Sequence, residues 1–155
     1  MAYRISGLAP EIFQELFASS DAQLAALDIR RVIAADSRGY PCRISLQDAQ
    51  QGETLLLLSY EHHAVAGPYR ASGPIYVREN ARAVAVFEDS IPPSLQHRLL
   101  SVRAYDAEGW MHAAEVVEGT ALETCIADLF ALAQVDYLHI HNARPGCYSC
   151  RVDRR

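Results

Sequence analysis

The chain has no lysine. All 14 of its basic residues are arginines, set against 19 acidic residues, for a formal net charge of −5. A net-acidic chain lacks the basic stripe of a nucleic-acid binder; its one basic cluster, Arg151, Arg154 and Arg155, falls at the C-terminus. No stretch approaches the roughly 18 apolar residues of a membrane span. The segment Met1–Ser6 carries no apolar core of a secretory signal. The expectation is therefore a cytoplasmic protein with neither nucleic acid nor membrane as partner. In that compartment the four cysteines are expected as thiols, core residues or ligands, not disulfides. Nucleophile-elbow, Walker, H-E-x-x-H and dinucleotide-binding motifs are all absent, and the carboxylates are scattered singly, unlike a glycosidase pair. No internal repeat or low-complexity linker interrupts the chain.

What is present is enough for a core. The 155 residues are 50% hydrophobic and 21% charged, which suits one domain of residues 1–155. A chain of this size buries about 68–70% of the surface its unfolded form exposes.

Local patterns give the elements. Strands are expected at Tyr3–Ser6, Ile29–Ala35, Cys42–Leu46, Thr54–Tyr60, Ile75–Arg78, Arg82–Phe87, Asp136–Asn142 and Cys147–Val152. Four consecutive leucines, Leu55 to Leu58, suit a strand buried on both faces. Pro10 opens a helix carrying Ile12, Phe13, Leu16 and Phe17. Ser20 and Gln23 form a capping box for a second. Leu99–Tyr105 and Met111–Val117 flank Asp106-Ala107-Glu108-Gly109 as a hairpin. A second capping box, Thr120 with Glu123, is expected to start a helix over Thr120–Gln134, with Leu122, Cys125, Ile126, Leu129 and Phe130 on its apolar stripe. The class is α+β: a mainly antiparallel sheet with helices packed on one face.

Three segments carry chemistry. In Tyr137-Leu138-His139-Ile140-His141, alternation puts Leu138 and Ile140 on one face and both imidazoles on the other. At about 6.6–6.8 Å along a strand, His139 and His141 can converge on one metal ion or anion. Cys147 and Cys150 form a C-x-x-C pair that binds zinc only from a turn; on a strand the thiols diverge. A zinc site of His139, His141, Cys147 and Cys150 is one candidate. The third segment, Glu61–Gly73, reads as a long loop. There Tyr69 offers a flat apolar ring, Arg70 a planar fork for a carboxylate or phosphate, and Ser72 a hydroxyl. His62 and His63 are adjacent, which argues against their sharing one ion.

Gly39-Tyr40-Pro41-Cys42-Arg43, Gly52-Glu53, Pro68-Tyr69-Arg70-Ala71-Ser72-Gly73-Pro74-Ile75 and His139-Ile140-His141-Asn142-Ala143-Arg144-Pro145-Gly146-Cys147 together resemble a bacterial family, the domain of unknown function numbered 1203. The likeness runs from about Tyr3 to Arg154. It implies a small bacterial protein and carries over no activity, cofactor or catalytic residue.

Three readings stay open on the sequence. The leading one is a protein that binds a small anionic ligand through Tyr69, Arg70, Ser72, His139, His141 and Arg144. The second is a zinc-dependent hydrolase using His139, His141 and a cysteine, with Glu61 as base. The third is a non-catalytic interaction protein, a homodimer joined through an exposed strand edge.

Overall fold

The computed structural model describes residues 2–155; Met1 lies outside the described residues. Two antiparallel sheets form the frame. The larger has six strands: β1 (Tyr3–Ser6), β5 (Val86–Glu88), β6 (Leu99–Tyr105), β7 (Met111–Glu118), β8 (Tyr137–Asn142) and β9 (Tyr148–Arg154), in the order β5-β1-β9-β8-β6-β7. The smaller has the order β2-β3-β4, with β2 at Arg30–Ile33, β3 at Thr54–His63 and β4 at Ala71–Arg78. The protein is α+β, as its patterning suggests. Among the described residues no helix is long and apolar enough to cross a membrane.

A short helix, α3 (Pro93–Gln96), precedes β6, and each sheet has its own packed helices. Helix α4 (Leu122–Phe130) buries Leu122, Cys125, Ile126, Leu129 and Phe130 against Leu100, Val102, Leu138, Ile140 and Val152 of the large sheet. Each such side chain contributes roughly 1.5–3 kcal/mol of burial. A 3₁₀ turn at Pro10–Phe13, with helices α1 (Gln14–Phe17) and α2 (Asp21–Ala26), brings Phe13 and Leu24 onto Leu56, Leu58, Ile75 and Val77 of the small sheet. The Ser20–Gln23 capping box forms in full: Gln23 N–H donates to Ser20 Oγ at 3.2 Å and Ser20 N–H donates to Gln23 Oε1 at 2.8 Å. The leucine run is indeed buried on both faces of β3, with Leu56 and Leu58 toward the helices and Leu55 packed with Ala34 and Ala49. The hairpin β6–β7 pairs from Leu99↔Glu118 to Tyr105↔Met111.

Four expected elements are corrected. Helix α4 starts at Leu122 without the Thr120–Glu123 box and ends at Phe130. Its entry is a 3₁₀ turn, Gly119–Ala121, because Gly119 N–H is tied to the Arg98 carbonyl at 2.8 Å. A Cβ at Gly119 would lie 1.9 Å from the Leu95 carbonyl oxygen, so the chain passes too close for the expected cap. Cys42–Leu46 is a tight turn, closed by Leu46 N–H to the Cys42 carbonyl at 3.0 Å and touching β4 through a single bridge, Cys42↔Tyr76. The strand expected at Arg82–Phe87 is only Val86–Glu88. Finally, the loop is shorter than Glu61–Gly73: β3 runs on to His63 and β4 begins at Ala71.

Candidate functional site

The alternation on β8 holds, but its histidine face is not open to water. All six residues of the strand are buried, with His139 at 2% and His141 at 1% exposure. The end of β3 covers them. Opposite Ser72 the ladder between β3 and β4 breaks, passing from Tyr60↔Gly73 to His63↔Ala71 with Glu61 and His62 between. Such a bulge re-aims side chains. Here it turns both adjacent histidines toward β8. The His62 ring lies 6.1 Å from His139 and 5.0 Å from His141; the His63 ring lies 5.0 Å from His139. A second irregularity between β8 and β9 passes from Ile140↔Cys150 to His141↔Tyr148. It leaves Cys150 in the apolar core and brings Tyr148 to the histidines, stacked on His62 at 5.1 Å with 4° between planes.

Hydrogen bonding separates the four imidazoles. His63 is satisfied twice: Nδ1 donates to the Tyr69 carbonyl and Nε2 accepts from the Tyr137 hydroxyl, each at 2.7 Å. His141 donates from Nδ1 to the Gly146 carbonyl at 3.0 Å, which leaves the Nε2 lone pair free. Six buried side-chain polar atoms among the described residues lack a partner, and three of them are His62 Nδ1, His139 Nδ1 and His141 Nε2. Leaving a buried polar group unsatisfied costs about 1–3 kcal/mol, so three together need an explanation. One ring nitrogen from each of these three residues lies within 4.8 Å of the others. Burial pushes all three down, His139 to about 2 and His62 and His141 to about 4; Arg103 adds to this for His62 and His141 and Arg151 for His139, while the hydrogen bond to the Gly146 carbonyl works the other way on His141.

A separate cavity of about 780 Å³ opens where the two sheets meet the Pro41–Leu46 turn. Its apolar wall includes Leu57, Pro74, Tyr76 and Leu99; its charged wall includes Arg38, Arg43, Arg98 and Arg144, with His97 and Glu118. Arg98 is neutralised by Asp48. Arg43 is different. It is 1% exposed and makes no ion pair with a carboxylate among the described residues. Its guanidinium donates to the Tyr148 carbonyl at 2.7 Å, to the Pro41 carbonyl, and to Cys147 Sγ at 3.0 Å. Burial pushes its pKa down and the Cys147 sulfur opposes that. Asn142 Nδ2 donates to the same sulfur at 3.4 Å, while Asn142 Oδ1 is buried without a partner. The turn after β8 sets this up: Gly146, at φ +79°, donates to the Asn142 carbonyl at 2.8 Å, a backbone conformation that suits glycine.

The sequence-derived candidates are thus dispersed. Arg144 and Cys147 line the cavity. His139 and His141 face His62. Cys150 sits in the α4 core, where burial raises its thiol to about 12, so the C-x-x-C thiols diverge and the three-histidine group includes neither cysteine. Arg70 is occupied by Glu61 through two hydrogen bonds at 2.8 and 3.1 Å on the exposed surface. That pair also takes Glu61 away from a role as base. Ser72 is exposed on β4. Tyr69 reaches the histidine layer through its carbonyl on His63 and its ring 6.2 Å from Tyr105. The sequence offers His62 only as a neighbour of His63 poorly placed to share its ion, and gives Asn142 only within a motif. A bulge is invisible in composition, and Arg43 carried only a motif resemblance.

Residues 39–154 match the model of a family described as "Protein of unknown function (DUF1203)". The match takes in the three histidines and the cavity apart from Arg38. No curated protein and no solved structure matches the chain.

Proposed function

Starting from the fact that the chain belongs to this family, whose description names no activity, we propose that the protein binds a small organic anion in the arginine-walled cavity. The observation that carries this is Arg43, a fully buried cation without a carboxylate partner at the wall of a cavity. Removing an ion from water costs several kcal/mol unless an opposite charge and hydrogen bonds compensate. Three acceptors take up hydrogen bonds of Arg43 and none is a carboxylate. An anionic head would supply the missing charge.

Exposed Arg144 and Arg38 would meet that head from the solvent side, and a guanidinium fork matches a carboxylate or phosphate in two-point geometry. Leu57, Pro74 and Tyr76 would pack against an apolar body. The volume lies within the roughly 300–1,000 Å³ usual for small-molecule sites. Compared with the sequence reading, this proposal keeps a small anionic ligand and moves the site: Arg144 remains, Arg43 and Arg38 enter, and Tyr69, Arg70, Ser72, His139 and His141 leave.

The test is a thermal-shift screen with aromatic and aliphatic carboxylates and phosphate monoesters, followed by calorimetric titration of the best compound. Binding is expected, with Arg144→Ala weakening it by about tenfold or more while leaving the melting temperature of the free protein unchanged. If no compound binds at millimolar concentration, or Arg144→Ala binds as the parent does, the proposal fails.

A further inference from the structure

The three-histidine group lies outside that cavity, and its geometry is independent of what the cavity binds. We propose that His62, His139 and His141 form a zinc site. Three residues from two sheets, the bulged end of β3 and the inner face of β8, each bring one ring nitrogen within 4.8 Å of the other two. For three atoms no farther apart than that, some point lies within about 2.8 Å of all of them, against a zinc–nitrogen bond of about 2.0–2.1 Å. Inward movement of each ring by about 0.7 Å therefore suffices to bind.

The alternative is a packed aromatic layer that happens to contain histidines. His63 shows what that looks like, with both of its nitrogens hydrogen-bonded. His62 Nδ1, His139 Nδ1 and His141 Nε2 are instead buried with no partner at all. One nitrogen of each of the same three rings lies close enough to share an ion, which would give the three rings a common partner. His141 also has the second bond expected of a ligand: its Nδ1–H is held by the Gly146 carbonyl, which fixes the tautomer that leaves Nε2 as donor. Three imidazoles suit zinc, and a three-residue set leaves a tetrahedral ion one position for water or a substrate atom. Half-buried His62 is the ligand nearest solvent and marks the side from which an ion would enter.

The site differs from the one the sequence suggested, because His62 takes the place of Cys147 and Cys150. That gives a clean experiment on untagged, full-length protein. Metal is removed with a chelator and restored as zinc alone or cobalt alone. Expected are one zinc per chain by elemental analysis, a rise in melting temperature with zinc, and a cobalt absorption spectrum of nitrogen ligation without thiolate charge transfer. His62→Ala, at the least buried of the three positions, should weaken zinc binding by about a hundredfold or more, since even an outer-shell partner is worth 10- to 100-fold. Cys147→Ser and the surface variant His112→Ala should bind as the parent does; circular dichroism confirms that each variant is folded. The proposal is overturned if the parent takes up no zinc, if His62→Ala retains it, or if Cys147→Ser loses it. Repeating the anion titration in chelator keeps this result separate from that of the cavity.

Discussion

Gly7→Ala is the sharpest test of how the Arg43 turn is held. An alanine Cβ at position 7 would lie 2.2 Å from the Ile44 carbonyl oxygen and 2.8 Å from that of Arg43, whereas real Cβ contacts essentially never fall below 3.0 Å. Strand β1 and the turn would have to part by about 0.8 Å or more. They are joined by Leu8 N–H to the Arg43 carbonyl at 2.7 Å, and Ala85 N–H to the Ile44 carbonyl at 2.9 Å continues the same seam. Losing or stretching two such bonds costs about 0.5–1.5 kcal/mol each, and the overpacking adds about 1–3 kcal/mol. The stiffer unfolded chain returns at most about 1 kcal/mol. The net expectation is a loss of about 3 kcal/mol, which lowers a urea midpoint by about 1–2 M at an unchanged slope. Gly73→Ala is the control: its Cβ would meet nothing within 4 Å, so stability should stay within about 1 kcal/mol of the parent. A Gly7→Ala protein as stable as the control would refute the close approach, and with it the account of what positions Arg43.

Two further outcomes bear on the frame. Leu129→Ala should cost about 2–5 kcal/mol, because Leu129 is buried between α4 and the large sheet; a loss below about 0.5 kcal/mol in the same urea assay would remove α4 from that core. Glu53 is held down to about 2, first by the Arg78 hydrogen bond and then, against desolvation, by Asn80 and the Gln50 amide. Its folded pKa lies below its unfolded value, so its contribution is present above about pH 4.5 and is lost as the pH falls toward 2. After discounting for solvent screening this amounts to about 1–2 kcal/mol. The stability gap between the parent and Glu53→Gln should therefore be largest near pH 7 and shrink at pH 3, and a gap constant with pH would contradict the pairing.

Much of the frame was legible because it is periodic. The stripe from Leu122 to Phe130, the Ser20 cap, the hairpin around Asp106–Gly109 and the alternation through His141 each follow from local spacing, and each appears in the structure. What was not legible depends on breaks in that periodicity. Two irregular pairings, one opposite Ser72 and one beside Ser149, decide which way His62, Tyr148 and Cys150 point. Strict alternation would have kept His62 away from His63. The Thr120 cap failed for a tertiary reason, the passage of Gly119 against the Leu95 carbonyl. Arg43 is a cavity residue because the Cys42–Leu46 segment turns instead of extending; the turn closes on itself, and the hydrogen bonds that anchor it, to Leu8, Tyr76 and Ala85, come from residues far away in the chain. A ligand site shared by Arg70, His139 and His141 needs Arg70 near the histidines; the extension of β3 pairs it with Glu61 at the surface instead.

The central claim, that Arg43 serves a bound anion, is tested most directly by a crystal structure grown with the strongest binder from the carboxylate and phosphate screen. The predicted result is the anionic head inside the cavity, with an oxygen at about 2.7–2.9 Å from a guanidinium nitrogen of Arg43, Arg144 beside it, and the body against Leu57 and Tyr76. Density for the compound elsewhere on the protein, with only water beside Arg43 at saturating ligand, would contradict it.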